Sequence, residues 1–318
     1  MRRTSALVFL SVLAIGTLVL LAGSREQPVT VQDWIDQTNK RLQDVWQRNV
    51  RPSIDLVPEF RGKAEDLELA EPRRRDQRVN CPVSPRLRLG RTPPVIEYSR
   101  EILFYSFYLE QATLFYLLDL AEVDRPDVFN SYVTDVMFGQ SREAIRRCVT
   151  SRPTERQPYP DQFPSIAGHN GLEVSEYQQV LARAAERIDV ADYVAAFPIF
   201  FVLLHEAGHY LLGHTRSPNL ETELEADRAA VRIFHANRVP ATLGIGHFII
   251  FSHADPEAPD RGGISSDFAC RIEAVALADT KIGFEPSDLM PELGDQVIRR
   301  VERLRDHYIR TYGEICGR

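Results

Sequence analysis

The stretch HEAGHYLLGH, residues 205 to 214, follows the apolar run VAAFPIFFVLL and constrains the fold more than any other part of the chain. His205 and His209 are four positions apart, a spacing that puts both imidazoles on one face of a helix, one turn apart. Leu203, Leu204, Leu211 and Leu212 surround them, and three ionisable groups in such company are costly unless a partner satisfies them. Two imidazoles so placed can bind one Zn2+ through ring nitrogens at about 2.0–2.1 Å. Glu206 points alongside the same site, badly placed as a ligand but well placed to accept a proton from water. This is the HExxH arrangement.

A catalytic zinc site needs a third protein ligand and an open fourth position. The pattern HExxHxxGxxH is excluded, because Leu212 stands where its glycine belongs and Thr215 where its last histidine belongs. Gly213 reads as a helix C-cap and His214 as a surface residue just beyond it. The next helical stretch, NLETELEADRAAVRIF, offers Glu221, Glu223 and Glu225. Asp227 decides among them: Glu223 and Asp227 share a helix face, whereas Glu221 and Glu225 share the opposite one. With Glu223 on the metal, Asp227 can accept a hydrogen bond from the free ring nitrogen of a ligand histidine. The short link from Gly213 to Asn219 makes the two helices antiparallel neighbours.

HEAGHYLLGH followed by ELEADRAA resembles the gluzincin zinc metallopeptidases. The likeness is to the CaaX-prenyl-endopeptidase and heat-shock-protease branch and to compact single-domain relatives carrying HExGHxxxGH and ExEAD. It covers about residues 195 to 236. The resemblance implies hydrolysis of a protein or peptide substrate, with Zn2+ held by His205, His209 and Glu223 and with Glu206 as general base. In that branch a His-Pro and a later arginine follow the zinc helices. Here His253 is followed by alanine, and Arg271 lies beyond. His253, Tyr210 and Arg271 therefore stay open as the group that stabilises the transition state. A reading from another class stands beside this one: a zinc-stabilised interaction or assembly protein, in which Glu206 would have no task.

The start of the chain carries its own signal. After Arg2 and Arg3 comes SALVFLSVLAIGTLVLLAG, Ser5 to Gly23, without one charge. Its 19 residues suffice to cross a hydrocarbon core of about 30 Å. The arginines before it place the N-terminus in the cytoplasm and the rest outside. A small-x-small cleavage pattern is poor, which favours an uncleaved anchor, while a cleaved signal peptide would deliver the same export. The expected product is a membrane-anchored, or else secreted or periplasmic, domain. A net charge of -7 and the lack of a long basic stripe argue against nucleic acid as a partner. The one basic cluster, EPRRRDQR at 71 to 78, is short and interrupted by acids.

Helical spacing recurs along the chain. TVQDWIDQTNKRLQDVWQRNV sets Trp34, Ile35, Leu42, Val45 and Trp46 on an amphipathic helix. Residues 51 to 94 read as extended loop, and 100 to 123 as a central buried helix. The four prolines of 150 to 165 mark a linker, and Ser175 with Gln178 opens a further helix. Helices are predicted at 195 to 213, 219 to 236, 266 to 279 and 295 to 312. The expected architecture is mainly α, with a small edge sheet near 160 to 174. It divides into an N-terminal hydrophobic segment (1–24), a helical and loop region packing on the core (25–165) and a gluzincin-like zinc peptidase domain (166–318). Four cysteines in an exported chain suggest two disulfides. Joining sequence neighbours pairs Cys81 with Cys148 and Cys270 with Cys316.

Overall fold

The computed structural model describes residues 42–43, 45–71, 85–98, 173, 175–176, 197–215, 219–246, 248, 266–281 and 294–317. Within them the chain is mainly helical and carries one small three-stranded sheet. A π-helical turn, Trp46–Val50, runs directly into the short helix α1, Arg51–Ile54. Trp46 is fully buried, and its indole N–H donates to the Leu67 carbonyl at 3.3 Å. That bond pins the turn to the start of the sheet. Leu42, on the same predicted amphipathic face, is also in the core.

The sheet consists of β1 (Glu68–Ala70), β2 (Arg86–Arg88) and β3 (Val95–Glu97), in the order β1-β3-β2. β3 pairs in parallel with β1 (Leu69 opposite Ile96) and antiparallel with β2 (Leu87 opposite Ile96). Among the described residues β2 is thus an edge strand. Glu97 is buried and held by Arg88 Nε at 2.8 Å and Arg91 Nη2 at 2.5 Å. β1 and β2, with α1 before them, correct the expectation of an extended loop over 51 to 94. Three residues allow only one inward-outward alternation, too little to register as a strand period. The sheet expected near 160 to 174 lies outside the described residues, save Glu173. So do Ser5 to Gly23, the helix at 100 to 123, the linker at 150 to 165, Cys81, Cys148 and His253. Among the described residues no helix is long and apolar enough to cross a membrane.

Among the described residues four longer helices follow: α2 (Phe197–Leu211), α3 (Leu220–Ala236), α4 (Ser266–Asp279) and α5 (Gly294–Cys316). α3 starts at a capping box, in which the Thr222 N–H donates to Asn219 Oδ1 and the Asn219 N–H to Thr222 Oγ1, each at 3.0 Å. α2 and α3 run antiparallel, since Phe201 meets Phe234, His205 meets Asp227 and His209 meets Glu223. Gly208 makes their close approach feasible. A Cβ at that position would lie 2.8 Å from the Ala226 carbonyl oxygen and 3.1 Å from the Ala226 Cα.

Behind these helices, Phe201 packs on Phe234 and Phe248 with ring centroids 5.3 and 5.7 Å away. Asp279, at the end of α4, accepts from the amides of Ala241 and Thr242 and contacts His235 Nε2 at 2.7 Å. One buried carboxylate therefore joins the end of α3, the 3-10 turn Ala241–Gly244 and α4. α4 also packs on α5, and the expected Cys270–Cys316 disulfide joins them. α5 extends past the predicted end at 312, to Cys316. Gly313 of α5 lies against the Glu273 side chain of α4, where a Cβ would come 3.0 Å from Oε1.

Candidate metal centre

α2 carries His205, Glu206 and His209 within about one turn, and α3 brings the others across the Gly208 contact. His205 Nε2 and His209 Nε2 face each other at 3.1 Å. The Glu223 carboxylate closes the group, with Oε2 3.2 Å from His205 Nε2 and Oε1 3.3 Å from His209 Nε2. A tetrahedral zinc site with donors at about 2.0–2.1 Å has ligand-to-ligand edges of about 3.3 Å. Taking one donor atom from each residue, all three lie within 4.8 Å of one another, so the group could hold a metal ion. Glu221 is exposed, and Glu225 lies elsewhere on α3, so Glu223 is the glutamate that meets the histidines.

The other ring nitrogens are engaged as well. His205 Nδ1 lies 2.8 Å from Asp227 Oδ1, an almost fully buried carboxylate. His209 Nδ1 lies 2.9 Å from His214 Nδ1, and His214 Nε2 lies 3.0 Å from Glu225 Oε2. The sequence reading of His214 as a surface residue is corrected by this contact, for its side chain is only 12% exposed. Gly213 is the cause. With φ at +69° it closes a turn in which the His214 N–H donates to the His209 carbonyl and the Gly213 N–H to the Tyr210 carbonyl. This is the Schellman pattern, which folds the residue after the glycine back onto the last helical turn.

Arg271, from α4, closes the far side. Its Nε and Nη2 donate to Asp227 at 2.7 and 2.9 Å, and its Nη1 meets Glu223 Oε2 at 2.8 Å. The guanidinium also stacks near Phe248 and Phe268, at 4.8 and 5.6 Å from the ring centroids. All three of its nitrogens thus meet the two carboxylates, and Nη2 also lies 3.4 Å from His205 Nδ1. Tyr210 sits one turn after Glu206 on the same helix face and is partly buried.

No family model, curated protein or solved structure matches this chain. The reading of the site therefore rests on its own geometry and charge.

Those charges are unbalanced towards the negative. Burial pushes the pKa of His205 down, yet the carboxylates of Asp227 and Glu223 outweigh it and hold the pKa at about 9. Burial would raise Glu223, but hydrogen bonds from His205 and His209 and the charge of Arg271 bring it well below the usual carboxylate range. Asp227 is likewise lowered, against its burial, by Arg271 and His205. Without a metal, then, a proton on His205 adds to the charge of Arg271 in balancing the two carboxylates.

Glu206 differs from them. Its pKa is raised by burial, with His205, His209 and the Leu87 amide only partly offsetting this. The Leu87 N–H of edge strand β2 donates to Glu206 Oε2 at 2.8 Å. Glu206 therefore has one oxygen fixed by the backbone of the sheet. A carboxylate that is raised towards neutrality and oriented in this way can both take and return a proton.

Proposed function

We propose that this chain is a zinc-dependent endopeptidase, resembling the gluzincins, that hydrolyses peptide bonds with Glu206 as general base. The observation that carries this reading is the convergence of His205, His209 and Glu223 into one donor group within reach of the oriented Glu206. A site that only held the fold together would have no use for Glu206.

Zn2+ bound by the three ligands would lower the pKa of a water towards about 7 and polarise a carbonyl. The residues of the chain account for the rest. Glu206 takes one proton as the water oxygen bonds to the scissile carbon, then gives it to the leaving nitrogen as the C–N bond breaks. Leu87 holds the second carboxylate oxygen during both transfers. Asp227, accepting from His205 Nδ1, would fix the tautomer that leaves the Nε2 lone pair free to hold the ion. Arg271 keeps Asp227 and Glu223 ionised. β2 lies beside Glu206 and has no strand on its far side among the described residues, which suits an extended peptide added along that edge. The charge-free segment Ser5 to Gly23 supports an exported, membrane-tethered protein with this domain on the non-cytoplasmic side.

Glu206→Gln tests the proposal. The variant should keep one zinc per chain and lose cleavage of a denatured-protein substrate by about 10²–10⁴-fold, the usual worth of a general base. Unchanged cleavage would remove Glu206 from its role. Zinc binding without cleavage in the wild type would favour the zinc-stabilised assembly protein.

A further inference from the structure

α3 carries acidic residues at four alternate positions, and three of them, Glu223, Glu225 and Asp227, meet the site in different ways. At 100° per residue, Asp227 returns to within about 40° of Glu223, while Glu225 is turned about 160° from it. Asp227 therefore reaches a ligand histidine directly. Glu225 cannot, and the imidazole of His214 fills the gap between it and His209. The contacts are short at both ends, 2.9 Å from His209 Nδ1 to His214 Nδ1 and 3.0 Å from His214 Nε2 to Glu225 Oε2. The two rings meet edge to face, with centroids 5.1 Å apart.

One tautomer assignment satisfies every atom of this chain of contacts. His209 Nε2 faces His205 and Glu223, so it must keep its lone pair if it is a ligand. Its proton is then on Nδ1 and is donated to His214 Nδ1. His214 carries its own proton on Nε2 and donates it to Glu225. The Schellman turn at Gly213 makes this possible by bringing position 214 back over position 209.

From this we infer that His214 and Glu225 are positioning residues for the metal centre, doing for His209 what Asp227 does for His205. The inference rests on the zinc reading given above. Each ligand histidine is oriented by a carboxylate of α3, one directly and one through an inserted imidazole. His214 touches neither substrate nor metal in this role, and acts only through the ring of His209.

Three replacements of His214 separate orientation from packing. Leucine retains much of the volume but has no acceptor, alanine removes both, and asparagine places its Oδ1 near the position of the imidazole Nδ1. Zinc affinity is measured by competition with a chelator, alongside thermal unfolding of the metal-free protein. Nδ1–H of His209 is observed by NMR in the zinc-loaded form. His214→Leu and His214→Ala should weaken zinc binding about 10–100-fold, the usual effect of removing such a partner. His214→Asn should restore affinity to within about threefold, with the hydrogen-bonded His209 proton still shifted downfield. Glu225→Ala should fall between these, because His214 then keeps its place but loses its anchor. If the wild type binds zinc and His214→Leu binds it equally well, His214 is only the residue that ends the helix. The inference also fails if asparagine and leucine are equally damaging. A wild type that binds no zinc would overturn the metal reading itself, and this inference with it.

Discussion

The Leu87 amide donates to Glu206 Oε2 at 2.8 Å, linking two residues 119 positions apart in the chain. The edge strand and α2 are thereby fixed to one another at the carboxylate that is proposed to carry the proton. Leu87→Pro removes that donor, and an edge strand tolerates proline where the N–H points out of the sheet. Loss of the donor leaves burial less opposed, so the Glu206 pKa should rise further. The acid limb of kcat/KM should therefore move to higher pH, with zinc content unchanged. An acid limb at the wild-type position would show that Leu87 does not tune this group.

Gly208 is the contact point of α2 and α3, and the obstruction it avoids is backbone. Gly208→Ala cannot be accommodated by a rotamer change, so the helices must separate near the ligands. Overpacking of this kind costs about 1–3 kcal/mol. Chemical denaturation of the metal-free variant should show that loss, and zinc affinity should fall with it. Wild-type values for both would mean that the helices have slack at this crossing.

Arg271 is the shared counter-charge of Asp227 and Glu223. Arg271→Met keeps much of the stem but leaves buried Asp227 and partly exposed Glu223 without it. Removing one partner from a buried ion pair costs about 3–5 kcal/mol. Saturating zinc should reduce the penalty, because a bound cation neutralises Glu223. Urea unfolding with and without zinc measures the difference, and an equal loss in both would speak against a shared charge role.

His205 gives the site its pH dependence in the metal-free protein. Its pKa is raised from 6.5 to about 9 in the folded state. The stability due to its protonation is therefore fully present below 6.5 and is lost as pH rises through about 9. Zinc must displace that proton, so apparent zinc affinity should rise about tenfold per pH unit and level off near pH 9. Calorimetry in buffers of different ionisation heat should register close to one proton released. A flat affinity profile from pH 6 to 8 would contradict this linkage.

The sequence exposes some of this architecture and conceals the rest for physical reasons. α3 and α4 begin and end within a residue of expectation, because caps and apolar spacing repeat over several turns. Glu223 and Asp227 could be separated from Glu221 and Glu225 by helical phase alone. β1, β2 and β3 could not be seen, since each is three residues long and β1 and β2 are partly exposed. With them the partner of Glu206 was hidden, for a backbone donor leaves no mark in residue types. His214 did have a signal. A glycine four positions after a ligand histidine, followed at once by another histidine, is the spacing of a Schellman turn that folds back on that ligand.

Metal analysis of purified wild type beside Glu223→Gln tests the central claim most directly. The account predicts one zinc per wild-type chain and a large loss of zinc in the variant, whose amide cannot supply a charged ligand to His205 and His209. Full zinc retention by Glu223→Gln, or a wild type that takes up no zinc, would contradict it.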